Sequence, residues 1–135
     1  MSAIKSKNTS PEITLRRVLW ARGLRYQVNV KALPGKPDIV FTRARIVVFC
    51  DGDFWHGHNW AIRGLPSLAV ELEKYSQFWR DKICGNIIRD KKNTDKLLSD
   101  GWIVIRFWES DIKANPQLCA DTVVSQYKSS LRNKS

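Results

Sequence analysis

The stretch "DIVFTRARIVVFCD", residues 38–51, constrains the fold of this chain most. Two short runs of Val, Ile and Phe flank the polar connection "TRAR". β-Branched and aromatic residues suit a pleated, buried surface, and a connection this short between two such runs spells a hairpin. The two ends of a hairpin meet. Asp38, at the start of the first arm, is therefore expected beside Cys50 and Asp51 at the end of the second. The loop that follows is unusual. "FCDGDFWHGHNW", residues 49–60, holds two tryptophans and two imidazoles among its carboxylates, although loops are mostly small and polar. Such a loop either closes over the core or binds something flat and charged.

The remaining pattern surrounds that hairpin with helices. Residues 1–9 read as a basic, flexible arm. "TSPEITLRRVLWARG" reads as a helix, with Ser10 as N-cap, Pro11 and Glu12 in the first turn and Gly23 as the stop. Leu15, Val18 and Leu19 form its apolar stripe, and Glu12 shares their face, as a cap or as a site residue. "YQVNV" (26–30) alternates like a strand, and "LPGKP" (33–37) is a turn. Residues 61–73 read as irregular or partly helical. From Lys74 to Asp100 apolar residues recur at helical spacing, with Gly85 as a possible break. "WIVIRFW" (102–108) is a fourth strand, and "ESD" opens a last helix carrying Leu118, Val123, Tyr127 and Leu131. The order α-β-β-β-α-β-α predicts one α/β domain over residues 1–135, a mixed four-stranded sheet flanked by helices.

Charge points to the partner. Lys and Arg number 23 against 13 acids, a net charge of +10. A basic folded face favours a polyanion, and nucleic acid is the usual one. No apolar run reaches the roughly 18 residues of a membrane span, and "MSAIKSKNTSPE" has no apolar signal core, so a cytoplasmic protein is expected. Cys50, Cys84 and Cys119 lie far apart and form no CxxC pair, which predicts reduced thiols.

The hairpin end also predicts chemistry. Two carboxylates and nearby backbone carbonyls are hard oxygen ligands suited to Mg²⁺. His56 lies a few residues on. A metal, its bound water and an imidazole base form a centre able to hydrolyse a phosphodiester. Pro-Asp alone is common in plain turns; the hairpin geometry is what gives Asp38 weight. Phe54 and Trp55, being in a loop, are read as nucleic-acid contacts, whereas Trp20, Trp102 and Trp108 are assigned to the core.

Taken in order, "KNTSPEITLRRVLWARGLRYQVNVKALPGKPDIVF", "FCDGDFWHG", "FWRDKICGNIIRD" and "GWIVIRFWE" resemble the very-short-patch repair (Vsr) endonucleases from about residue 5 to about residue 112. The resemblance implies the restriction-endonuclease-like, PD-(D/E)XK fold with its αβββαβ core. It implies that Asp38 binds Mg²⁺ with the backbone carbonyl of Cys50, and that His56 activates water in place of the usual nuclease lysine. Glu12 and Asp90 match further acidic positions of the site, and Asp51 stands at a position where a His or an Asp is found. Phe54, Trp55 and Trp79 match aromatics that wedge into DNA beside a mismatch, an arrangement that trades unstacking for contact. Lys5, Lys7, Lys36 and Arg89 are the cations expected on the DNA.

The sequence departs from the family where a structural zinc is often held. Asp53, Trp60 and Ser110 stand at or near positions of Cys ligands, leaving only His58. Four good ligands are needed, so no structural zinc is expected, and the loop is expected to rest on Trp60 packing and hydrogen bonds. The implied activity is Mg²⁺-dependent nicking of double-stranded DNA at T:G mismatches by a monomer, with a MutL mismatch-repair protein as partner by analogy. The alternatives are a related nuclease of other specificity and a non-catalytic DNA-binding module; the latter has no need of the Asp38 and His56 pair.

Overall fold

The computed structural model describes residues 9–54 and 56–132. Lys5, Lys7 and Trp55 lie outside the described residues. Among the described residues ten elements follow in order: α1 (Ser10–Ala21), β1 (Gln27–Val28), β2 (Ile39–Phe41), β3 (Ile46–Asp51), α2 (Asn59–Ile62), α3 (Leu68–Leu72), α4 (Gln77–Ser99), β4 (Ile103–Trp108), α5 (Glu109–Ala114) and α6 (Pro116–Arg132). The sheet order is β1-β2-β3-β4. β2 is antiparallel to both β1 and β3, and β4 runs parallel to β3 with Phe49 opposite Arg106 and Asp51 opposite Trp108. This is the expected mixed sheet flanked by helices, a restriction-endonuclease-like arrangement.

Strand alternation divides the core. On one face Ile39, Phe41, Ile46, Val48 and Cys50 meet Leu15 and Leu19 of α1, Ile112 of α5 and Val123 of α6. On the other, Val40, Val47 and Phe49 meet Leu97 of α4. Successive strand residues point to opposite faces. Asp51 and Arg106 therefore share the α4 face with Phe49 and Val104. The inner stripe of α4 runs Ile83, Ile87, Asp90, Thr94 and Leu97, at three- and four-residue spacing. Ile83 and Leu97 are fully buried. Asp90 and Thr94 are the polar members of that stripe, which carries Asp90 to the end of β3.

Several elements differ from the sequence reading for physical reasons. β1 is shorter than 26–30 because Asn29 turns into the left-handed region (φ 50°), although the Asn29 and Val30 N–H groups still reach the carbonyls of Asp38 and Pro37. Thr9, not Ser10, holds the N-cap position of α1, and its hydroxyl donates to Glu109 instead of capping. α4 runs unbroken through Gly85: one glycine costs about 1 kcal/mol, less than the buried stripe provides, and the Arg89 guanidinium covers it. The single last helix is two, because Pro116 forces Asn115 out of the helical region (φ −156°, ψ 81°), and the Asn115 side chain then caps α6. Trp20 is half exposed beneath the Arg25 guanidinium, 3.5 Å from its ring centre, not in the core.

Candidate active site

Asp38 enters the site because the hairpin closes on it. Its N–H donates to the Val48 carbonyl (3.0 Å), and its carboxylate Oδ2 accepts the Cys50 N–H (2.6 Å). The chain ends of β2 and β3 are thus tied by one side chain. Asp38 is buried, with Glu12 and Asp51 as acidic neighbours. Burial, the largest cause, pushes its carboxyl up to about 7; the Cys50 N–H opposes this, while Glu12 and Asp51 add to it. Glu12 is 2% exposed and pairs with Arg16 at 3.0 Å, one helical turn on.

The His56 side of the site is built differently. Asp51 is also buried, and burial raises its carboxyl, but Arg106 and His56 counter that rise. Arg106 Nη1 donates to both Asp51 oxygens (3.0 and 3.1 Å), Nη2 to the Asp90 carbonyl (3.4 Å) and Nε to Thr94 Oγ1 (3.0 Å). Its guanidinium lies 4.0 Å from the Phe49 ring centre. His56 Nδ1 bonds directly to the Asp90 carboxylate, and Nε2 faces Asp51 Oδ1 at 3.9 Å. Burial pulls the His56 pKa down, but the Asp90 hydrogen bond and the charges of Asp51 and Asp90 outweigh it, so it is raised above 6.5.

These groups converge. Asp38, Cys50, Asp51, His56 and Asp90 line one cavity of about 370 Å³, shared with Lys31 and Lys36 from the β1–β2 connection. A second cavity of about 350 Å³ shares Asp51, His56 and Asp90 and continues past Arg106 to Trp108. Of the expected site residues, Asp38, Cys50, Asp51, His56, Asp90 and Lys36 are thus brought together, with Glu12 behind Asp38. Arg89 is exposed on α4 and donates to Asn86. Phe54 and Trp79 sit edge to face at 5.6 Å, with Tyr75 5.5 Å from Phe54. Phe78, 60% exposed, extends that aromatic group.

The donor set suits a divalent cation. Asp51, His56 and Asp90 offer ligand atoms within 4.8 Å of one another, the group of three or more such side chains found among the described residues. Asp38 lies outside that group and, unlike Asp51, is held by an amide rather than a guanidinium. A buried carboxylate raised in this way is relieved by a cation with hard-oxygen preference.

The loop after β3 is fastened by its own side chains. Asp53 accepts from Ser110 N (3.1 Å) and Ser110 Oγ (2.8 Å), which joins the loop to the start of α5. His58 stacks on Trp108 at 4.1 Å and 3°. Two of the positions where zinc ligands were sought thus hydrogen-bond to each other. Gly57 (φ 73°) lets the loop approach α4: a Cβ there would lie 2.8 Å from Ile87 Cδ1.

Sequence reasoning missed Arg106 and Lys31. The signal for Arg106 was a cation inside the apolar run "WIVIRFW". Lys31 carried no local signal, since exposed lysines are common.

This sheet, with carboxylates and a histidine at the end of its central hairpin, defines an endodeoxyribonuclease of the restriction-endonuclease-like class. Comparison with known proteins narrows it. Residues 1–62 match the family model described as DNA mismatch endonuclease Vsr. The chain is 44% identical to the type II nicking enzyme V.HpaIIP of Haemophilus parainfluenzae, over 84% of this chain and 77% of that one. It is 42% identical to the type II nicking enzyme V.NmeDIP of Neisseria meningitidis serogroup C, over 91% and 80%. It is 32% identical to the DNA mismatch endonuclease Vsr of Escherichia coli K12, over 93% and 77%. The chain belongs to the Vsr family.

Proposed function

We propose that this enzyme nicks one strand of duplex DNA at a T:G mismatch, with Mg²⁺ as cofactor. The observation that carries the reading is the buried, amide-held Asp38 in one cavity with the His56–Asp90 pair. Asp38 and the Cys50 carbonyl would hold the Mg²⁺, which supplies charge stabilisation at the phosphate and the leaving oxygen. Asp90 fixes His56 through Nδ1, leaving Nε2 to take a proton from water; a base oriented by a third group is the general logic of such pairs. The hydroxide oxygen then bonds to phosphorus as the bond to the 3′ oxygen breaks, and that oxygen leaves with a solvent proton. Glu12 and Asp51 shape the charge around Asp38 and His56. Lys31 and Lys36 are suited to the DNA phosphates, with Arg89, Lys5 and Lys7 as further contacts. Phe54, Trp79 and Trp55 are the wedge. A mismatched pair costs less to unstack, which favours T:G over a matched pair. On the family resemblance alone, the reading adds monomeric action and a MutL partner.

The zinc expectation stays part of this reading: the Asp53–Ser110 link and the His58–Trp108 stack support a loop fastened without zinc. Metal analysis finding one tightly held zinc per chain would overturn it.

The test is strand cleavage. End-labelled duplexes, matched or carrying one T:G pair in several sequence contexts, are incubated with Mg²⁺ or EDTA. A Mg²⁺-dependent nick 5′ to the mismatched T, absent from Asp38→Ala and His56→Ala, is expected. Equal cutting of matched duplexes would transfer the reading to a nuclease of other specificity. Tight binding with no cutting would leave a DNA-binding module.

A further inference from the structure

Among the described residues, Glu71 is the one buried charged side chain outside the site described above. It lies on α3, and neither of its carboxylate oxygens has a hydrogen-bond partner among the described residues. A buried carboxylate left unpaired is costly, and an apolar side chain of similar size carries no such cost. The group therefore needs a reason beyond the packing of α3.

Tyr75 supplies one. It stands at the joint between α3 and α4, where its N–H donates to the Leu72 carbonyl (3.1 Å) and its own carbonyl accepts from Arg80 Nε (3.0 Å). Its hydroxyl is buried and, like Glu71, without a hydrogen-bond partner among the described residues. Burial raises the pKa of that hydroxyl, and the Glu71 carboxylate raises it further, so the two groups are neighbours short of bonding geometry. The Tyr75 ring carries the consequence outward. It meets Phe54 edge to face at 5.5 Å, and Phe54 meets Trp79 in the same way at 5.6 Å. Side chains that enter a base stack must hold against the stacking they disrupt, and Phe54 stands on a loop.

We propose that Glu71 is a positioning residue for the aromatic wedge: its carboxylate accepts the Tyr75 O–H when DNA loads Phe54, and so fixes the Tyr75 ring against Phe54. The inference deepens the function proposed above and rests on it. The free protein gains nothing from the carboxylate; the DNA-bound state does.

The test compares Glu71→Met, Glu71→Gln, Tyr75→Phe and the double variant of Glu71→Met with Tyr75→Phe. Each is read by melting, by binding and single-turnover nicking of a T:G duplex, and by a fluorescent aminopurine beside the T:G pair, which brightens when unstacked. Glu71→Met should melt no lower than the unaltered protein, because an unpaired buried carboxylate is gone. It should nevertheless nick about 10-fold slower and brighten the probe less, with binding within about 3-fold. Tyr75→Phe should behave alike, and the double variant should lose no more than either alone, since both act through one bond. Glu71→Gln keeps an acceptor for the O–H and should nick within about 2-fold of the unaltered protein. Nicking and brightening unchanged in Glu71→Met, or losses that multiply in the double variant, overturn the inference. Should Glu71→Met yield no folded protein, Tyr75→Phe decides by the same readings. If the unaltered chain binds the duplex without brightening the probe, the wedge reading falls and the inference with it. If it brightens the probe without nicking, the proposed cleavage falls, and the probe still decides the role of Glu71.

Discussion

Asp38 and Asp51 stand at the two ends of one hairpin, one residue outside β2 and at the last position of β3. Both are buried, and burial raises both. Their compensation differs. Asp51 has a guanidinium on both oxygens, while Asp38 has one amide N–H, two acidic neighbours and the more distant Arg16 charge to oppose them. The same residue type in similar burial therefore does two jobs. The carboxylate held by a guanidinium is anchored on Arg106 while it still faces His56. In the proposed function, the one held only by an amide is where the cation is placed.

The largest effect that sharpens this contrast is on cleavage. Asp38→Ala should lower the nicking rate at least about 10³-fold while duplex binding persists, because the proposed metal-holding group is lost. Gel-shift and nicking assays on one preparation separate the two. His56→Ala should cost about 10²–10⁴-fold in the same assay, the range of a lost general base.

Stability should respond with opposite signs. Asp51→Asn removes the charge that Arg106 needs and should destabilise by about 1–3 kcal/mol, seen as a lower melting temperature. Asp38→Asn keeps an oxygen for the Cys50 N–H and removes a charge that burial and two acidic neighbours disfavour, so metal-free melting at pH 8 should rise by a few degrees. Two variants shifting the same way would break the comparison.

The pH dependence has a definite sign. A carboxyl raised to about 7 in the fold is protonated there while the unfolded chain is ionised. Its contribution is therefore present at acid pH and is lost as pH rises through about 7. Metal-free melting of Asp38→Asn should lack that fall. Mg²⁺ should restore stability at pH 8 in the unaltered protein, by mass action, and do nothing for Asp38→Asn. The smallest effect is in the rate profile. His56 must be neutral to accept a proton, so nicking should climb with pH past a midpoint above 6.5.

Much of the fold and part of the site were legible in residue order. The hairpin was, because two apolar runs and a short connection admit few other arrangements, and with it the closeness of Asp38 to Cys50 and Asp51. Helix ends were read less well. Gly85 was weighed as a break, but a buried face outweighs one poor helix former. Pro116 was overlooked, although it carries a local rule against helix in the residue before it.

What the sequence by itself determined was local: strand alternation, helical stripes, a basic surface, and a hairpin that must bring its ends together. These follow from backbone geometry over a few residues. What only the tertiary structure decided was pairing between distant elements. Asp90 meets His56 from a helix 34 residues further along, and Arg106 meets Asp51 across a parallel strand pair 55 residues apart. No periodicity encodes which carboxylate a distant guanidinium will reach. The parallel register that sets Arg106 opposite Phe49 decided it.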